Sequence, residues 1–316
     1  MTQLQESLET KQVSIYLVSI IAGLLIGLST DSFYTSSFGK AVNPALAIML
    51  FATFLQLPII NIKNSLRNIG FISALSVSNF IFIPLLVTAL SFLLPDNPML
   101  QLAVLLVLLS PCIDYVITFT HLTKGNARLL LILTPYLLLA QMMLLPVFIN
   151  AIMGGQAHTL IEAKPFVKAL IWLIAVPLLL ALVVQKLSKD RERISIVVHR
   201  LGALTVPSTA VVLFLVVASV APHIAQAKSA VLTAAPVFIL FALLAPIVGA
   251  FTARLFSLNK ENTRAIQFSS SYRNSLVILP LALAIPGGVP LIPSVILTQT
   301  ITELCFLPVY MWWARQ

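Results

Sequence analysis

Three groups of polar residues interrupt long apolar stretches, and their side chains are the ones with chemistry to offer. Ser110-Pro111-Cys112-Ile113-Asp114 lies within 99–122, Tyr272-Arg273-Asn274-Ser275 within 265–286, and Gln299 with Glu303 within 291–313. Cys112 offers a soft thiol, whose thiolate is the form that binds metals and metalloids. Soft ligands choose soft centres such as arsenic(III) and antimony(III). A single thiol can capture such a centre and let it go again, where three would hold it too tightly. Asp114 and Glu303 can carry a proton or a cation. Arg273, the only basic residue inside an apolar stretch and away from its ends, can clamp an anion or pair with Asp114 or Glu303. Ser110, Asn274 and, further upstream, Asn79 add hydroxyl and amide groups that can line the same path.

These residues need a membrane around them. Of 316 residues, 59% are hydrophobic and 9% charged, unlike any soluble domain. A spanning helix takes about 20 apolar residues, and ten such stretches are present: 13–30, 42–60, 69–94, 99–122, 127–152, 165–185, 201–221, 230–256, 265–286 and 291–313. Gln56 with Pro58, and Pro207 with Ser208, interrupt the second and seventh. The stretches lack the alternation of barrel strands, so the expected fold class is an all-α membrane protein of ten transmembrane helices. An ionisable group near the bilayer midplane is costly unless paired or hydrated, and marks a functional site by default. Helix breakers at matching places in two halves point to a transporter's binding site.

The charges orient the chain. With both ends cytoplasmic, the inner loops hold Lys11, Lys63, Arg67, Lys124, Arg128, Lys186, Lys189, Arg191, Arg193, Arg200, Arg254, Lys260, Arg264 and Arg315. The outer loops hold only Lys40, Lys164, Lys168 and Lys228. This is the positive-inside pattern, and it accounts for most of the net charge of +9. The basic residues are scattered over short loops, so no nucleic-acid partner is implied. The partners are the bilayer, a small substrate and a coupling ion, with the oligomeric state open. Glu6 and Glu9 offset Lys11 and no small-residue cleavage site follows, so the first span is expected to remain in the mature protein. Cys112 and Cys305 are too few for a metal centre, and no cofactor is implied. Trp312 and Trp313 suit an interfacial anchor.

A cut at the outer loop around Gly154-Gly155 gives five spans on each side. The organisation expected is a cytoplasmic tail 1–12, a first repeat 13–153, an outer linker 154–164 and a second repeat 165–316. An odd number of spans per half inverts the second half relative to the first. Pro111, and the run Ser269-Ser270-Ser271, predict breaks near 110–112 and 270–274 that lie side by side.

The segment SPCIDYVITFTHLTKGN (110–126) resembles the fourth helix of the arsenite-efflux carriers, whose pattern is close to APCTAMVFVWSYLTKGD. Pro111, Cys112, Val116, Leu122, Thr123, Lys124 and Gly125 match. Arg273-Asn274 matches the start of their ninth-helix pattern RNNFEL, and Glu303 falls where their last helix has a glutamate. These carriers belong to the bile-acid/sodium symporter superfamily. The resemblance implies two inverted five-helix repeats, core and panel domains, and unwound fourth and ninth helices crossing at the substrate site. It also implies that Cys112 is the cysteine used for arsenite, with export driven by protons. The chain departs from the pattern at Val277, where the ninth-helix glutamate would be, at Asp114, which replaces a small residue, and at Phe119, which stands for a tryptophan. The sodium-site pattern of the bile-acid branch is absent: Ser269 and Arg273 stand where its glutamate and glutamine would be.

The reading is a secondary active transporter, exporting arsenite or a related trivalent metalloid, with Cys112, Ser110, Arg273, Asn274 and Asn79 toward the substrate and Asp114 and Glu303 toward the coupling ion. A carrier of a small organic anion, with Arg273 on its carboxylate, is the alternative. An intramembrane cysteine enzyme is remote, because His121, His158, His199 and His223 all sit in loops or at span ends, away from Cys112.

Overall fold

In the computed structural model, residues 7–8, 10–30, 32–56, 68–112, 116–155, 170–188 and 201–315 are described, together with 164, 167, 168 and 198. Among them the chain is helical, and its only extended pairing is an isolated bridge. The helices are α1 (Gln12–Ser29), α2 (Ser32–Gln56), α3 (Ile69–Ser91), α4 (Pro98–Leu108), α5 (Val116–Leu122), α6 (Ala127–Met153), α7 (170–188), α8 (Thr205–Val220), α9 (Ile224–Leu255), α10 (Lys260–Ser271), α11 (Ser275–Leu283) and α12 (Leu291–Arg315). Among the described residues, seven helices are long and apolar enough to cross a membrane. The expected fourth and ninth spans are each cut in two, and only part of the sixth is described.

Several helices start at an asparagine whose side chain accepts a backbone N–H: Asn68 before α3, Asn97 before α4, Asn126 before α6 and Asn259 before α10. Each cap satisfies a donor that the first turn leaves orphaned. Pro207 sits in the first turn of α8, where its missing N–H costs nothing. It therefore starts a helix instead of interrupting a span. Gln56 ends α2, while Pro58 lies outside the described residues. Large apolar side chains such as Val18, Leu25, Leu85, Met143 and Leu179 are exposed along their helices. So much outward apolar surface requires a lipid solvent. The chain is a multi-pass membrane protein.

The chain divides into two compact units. One comprises 1–56, 162–227 and 279–294, and the other 57–161, 228–278 and 295–316. Each draws segments from both halves of the sequence. In the first, α8 packs on α1 and α2, and α7 on α2. Gly23 and Gly27 make the close approach of α1 and α8 possible: a Cβ on them would fall 2.8 Å from the Phe214 carbonyl oxygen and 2.6 Å from that of Ala218. This is the small-xxx-small packing of membrane helices. The Gln185 amide donates to the carbonyls of Phe54 and Leu55 at 2.9 and 3.0 Å, closing the end of α2.

In the second unit α10 packs against α3, α5 and α6. α9 approaches α10 at Gly249, where a Cβ would lie 2.7 Å from the Gln267 Cα. α3 is not uniform: Ser78–Phe82 forms a π-helical turn. Pro84, just beyond, cannot donate to the preceding turn, and the Ile83 N–H reaches back to the Ser78 carbonyl. The π-turn holds Ser78 and Asn79, both buried; such turns recur at functional sites.

Candidate functional site

The site grows from two places where a helix cannot continue. Pro111 has no N–H, so α4 ends at Leu108 and its last carbonyls find other donors. The Leu109 N–H takes Leu105, the Ser110 Oγ–H takes Leu106, and the Ser110 N–H takes Val107. In the other segment, the hydroxyls of Ser270 and Ser271 donate back to the carbonyls of Ile266 and Gln267. α10 stops at Ser271 and Tyr272 turns to an extended conformation. The two ends then pair with each other. The Cys112 N–H donates to the Tyr272 carbonyl at 3.1 Å, and the Asn274 N–H to the Ser110 carbonyl at 2.8 Å. They form an antiparallel bridge between Pro111 and Arg273. Both breaks therefore lie where the sequence placed them, in direct contact.

This pairing creates a shortage that one residue fills. In an uninterrupted helix the N–H groups of Cys112, Arg273 and Asn274 would serve the carbonyls of Leu108, Ser269 and Ser270. Here all three have been diverted: Cys112 to Tyr272, Asn274 to Ser110, and Arg273 to the Glu303 carboxylate at 2.9 Å. The Arg273 guanidinium supplies the missing donors. Its Nη1 donates to the Leu108 carbonyl at 3.3 Å, and its Nη2 to the carbonyls of Ser269 and Ser270 at 2.6 Å each. Nη2 also reaches the Asn79 Oδ1 at 3.2 Å. The charge thus sits at the negative ends of α4 and α10, where a cation is favoured, and over the Phe241 ring at 5.5 Å.

The sequence offers Asp114 or Glu303 as the acidic partner of Arg273. Among the described residues its guanidinium hydrogen bonds go to carbonyl oxygens, three from the backbone and one from Asn79. Glu303 serves the backbone of the same residue instead, and also accepts from the Gln299 amide at 2.6 Å. Asp114, the other carboxylate named from the sequence, lies outside the described residues, as do His158 and His199.

The remaining polar groups close around this point. Asn79 donates to the Leu75 carbonyl and to the Ser269 hydroxyl, and Ser78 shares a hydrogen bond of 2.6 Å with Ser270. Asn274 caps α11 by accepting from the Val277 N–H at 3.2 Å. The positive end of α11 therefore opens at the crossing. In this cluster Arg273 Nε, Asn274 Nδ2 and Gln299 Oε1 are buried with no hydrogen-bond partner among the described residues. Two are donors and one is an acceptor. Unpartnered buried groups are rare enough to call for an explanation, such as a ligand or a water. Cys112 is buried, and Tyr272 stacks between Phe119 and Phe268 at 5.9 and 5.7 Å, with Tyr310 edge-on at 5.7 Å.

Ser110, Cys112, Asn79, Arg273, Asn274 and Glu303 are thus brought into one network. The sequence did not reveal the role of Ser269 and Ser270, whose carbonyls accept from the guanidinium, or the parts of Phe241 and Tyr310. The serine run was visible as a breaker. That its carbonyls would need a cation followed from nothing in the linear pattern.

The profile described as the Sodium Bile acid symporter family matches residues 43–227. That span includes α4 and its break but ends before α10 and α12. No curated protein matches the chain.

Proposed function

Since this chain belongs to the sodium bile acid symporter family, we propose that it is a secondary active transporter that exports arsenite or a related trivalent metalloid in exchange for protons. Its substrate binds at the bridged breaks of residues 110–112 and 272–274. The observation that carries the reading is Cys112, a buried thiol within the bridge, beside unpartnered polar groups that can hold hydroxyl ligands. A trivalent metalloid hydroxide exchanges one hydroxide for the thiolate. One metal–sulfur bond forms, and the thiol proton leaves with the hydroxide as water. A single bond of this kind reverses readily.

The architecture that goes with this reading has ten spans. α4 with α5 forms the fourth and α10 with α11 the ninth, in two inverted repeats, 13–153 and 165–316, joined by the linker 154–164. The interleaving of both halves in each compact unit supports it. Both termini are cytoplasmic on the charge distribution. Glu303 carries the coupling proton, together with Asp114. Arg273 already serves the carbonyls of Leu108, Ser269 and Ser270 at this point, which argues against sodium as the coupling ion there.

A small organic anion on Arg273 is the second reading. Arg273 Nε supports it, being unpartnered, but the other guanidinium nitrogens already serve carbonyls. The experiment is transport in membrane vesicles of known orientation, comparing arsenite, antimonite and small carboxylates with and without a pH gradient. Arsenite and antimonite are expected to move with the gradient; movement of carboxylates alone would replace this reading with the second.

A further inference from the structure

The turn 256–259 joins α9 to α10, and a cavity of about 480 Å³ opens beside it, bounded by α9, α10 and the end of α12. Its cationic lining comprises Arg254, Lys260 and Arg264, and no aspartate or glutamate lines it among the described residues. Two of these cations stand against the local field. Lys260 opens α10 and Arg264 lies one turn on, at the positive end of the helix dipole, where acidic side chains are favoured and basic ones are not. Glu261 takes the acidic place in that first turn but does not face the cavity. Three cations and a helix N-terminus thus converge on a space that offers them no counter-charge. An oxyanion is the chemistry that meets this demand.

The walls say what the oxyanion is attached to. On α9, Pro246, Ala250 and Arg254 face the cavity at four-residue spacing. The adjacent row, Ile247, Phe251 and Leu255, is 53, 56 and 60% exposed. An outward apolar strip therefore runs beside the cavity for about 12 Å, eight residues at 1.5 Å each. At the other lip stands Trp313, an aromatic of the kind found at headgroup depth. A cationic pocket next to an apolar strip fits a charged head carrying an acyl chain. All three cations flank the turn 256–259, on the side read as cytoplasmic, where anionic lipids concentrate.

We propose that this cavity holds the phosphate headgroup of an anionic membrane lipid, its chain lying along Ile247, Phe251 and Leu255. The site is separate from the substrate and does not depend on which substrate is carried. It has a route to the transport chemistry, however. Ser271 and Tyr310, which line it, also line the small space beside Glu303 and Gln299. Headgroup occupancy thus acts one side-chain layer from the carboxylate.

The test uses the full chain in nanodiscs of phosphatidylcholine, alone or with a minority of phosphatidylglycerol. Thermal unfolding and native mass spectrometry are the readouts. The wild type is expected to unfold at higher temperature with phosphatidylglycerol and to retain it in the spectrometer. Arg254→Gln, Lys260→Gln and Arg264→Gln together are expected to weaken that retention about a hundredfold, from the usual contribution of each cation near a membrane surface. The single variant Arg264→Gln should weaken it roughly fivefold. Neutralising Lys11, Arg128 and Lys186 instead should leave it intact. An equal response in the Arg264→Gln variant, or equal loss in the control, overturns the site. Stabilisation by glycerol phosphate in pure phosphatidylcholine, with none from phosphatidylglycerol, overturns the lipid assignment in favour of a soluble phosphate.

Discussion

Replacing Arg273 with alanine tests the whole account of the crossing. The guanidinium serves the carbonyls of Leu108, Ser269 and Ser270 and the amide oxygen of Asn79. All four residues are buried. Each orphaned acceptor costs about 1–3 kcal/mol. The sum is offset by the desolvation penalty of the charge, which disappears with it. A net loss of about 3–5 kcal/mol follows, in line with breaking other buried charge networks. At roughly 2–4 °C per kcal/mol for a chain near this size, the unfolding temperature should fall by about 10 °C. Arg273→Lys should fall in between, since an ammonium has three donors on one nitrogen and cannot reach the ends of both helices at once. The assay is thermal unfolding of the purified protein in detergent. Adding Glu303→Gln to Arg273→Ala should recover nothing, because Glu303 is bonded to the backbone N–H of residue 273, which alanine retains. An unfolding temperature within about 2 °C of wild type, or full recovery in the double variant, would refute the carbonyl accounting and restore a simple ion pair.

Cys112→Ser keeps the volume and removes the soft ligand; it should abolish arsenite movement in vesicles at unchanged unfolding temperature, and normal efflux at full expression would end the metalloid reading. Glu303→Gln retains an oxygen for the Arg273 N–H, so the fold should hold while transport stops responding to the pH gradient. If it still responds fully, Asp114→Asn becomes the variant to measure. Gly27→Ala places a Cβ 2.6 Å from the Ala218 carbonyl and should cost about 1–3 kcal/mol, whereas Gly70→Ala, with nothing within 4 Å, should be neutral or slightly stabilising. Equal unfolding temperatures for these two would contradict the close packing of α1 on α8.

The residues themselves determined the solvent and the two breaks. Apolar runs of membrane length have few other uses, and a proline or a serine run inside one disturbs its hydrogen bonding whatever surrounds it. Cys112, Arg273 and Glu303 stood out for the same reason: a polar or ionisable group is conspicuous where water is absent. Those inferences rest on local chemistry, so they can be read along the chain. The partners could not be read in that way. The sequence offered Asp114 or Glu303 as partners of Arg273, because opposite charges are what a sequence displays. Backbone carbonyls look alike at every position, and only the tertiary pairing of residues 110–112 with 272–274 decides which three lose their donors. Nor could the pattern reveal that Asn79, almost two hundred positions away, supplies the fourth oxygen from a π-turn, or that Arg254, Lys260 and Arg264 converge on one cavity. In sequence those three are ordinary topology charges. Their convergence depends on how α9, α10 and α12 pack, which is decided by side-chain fit across the unit and by the close approach that Gly249 permits.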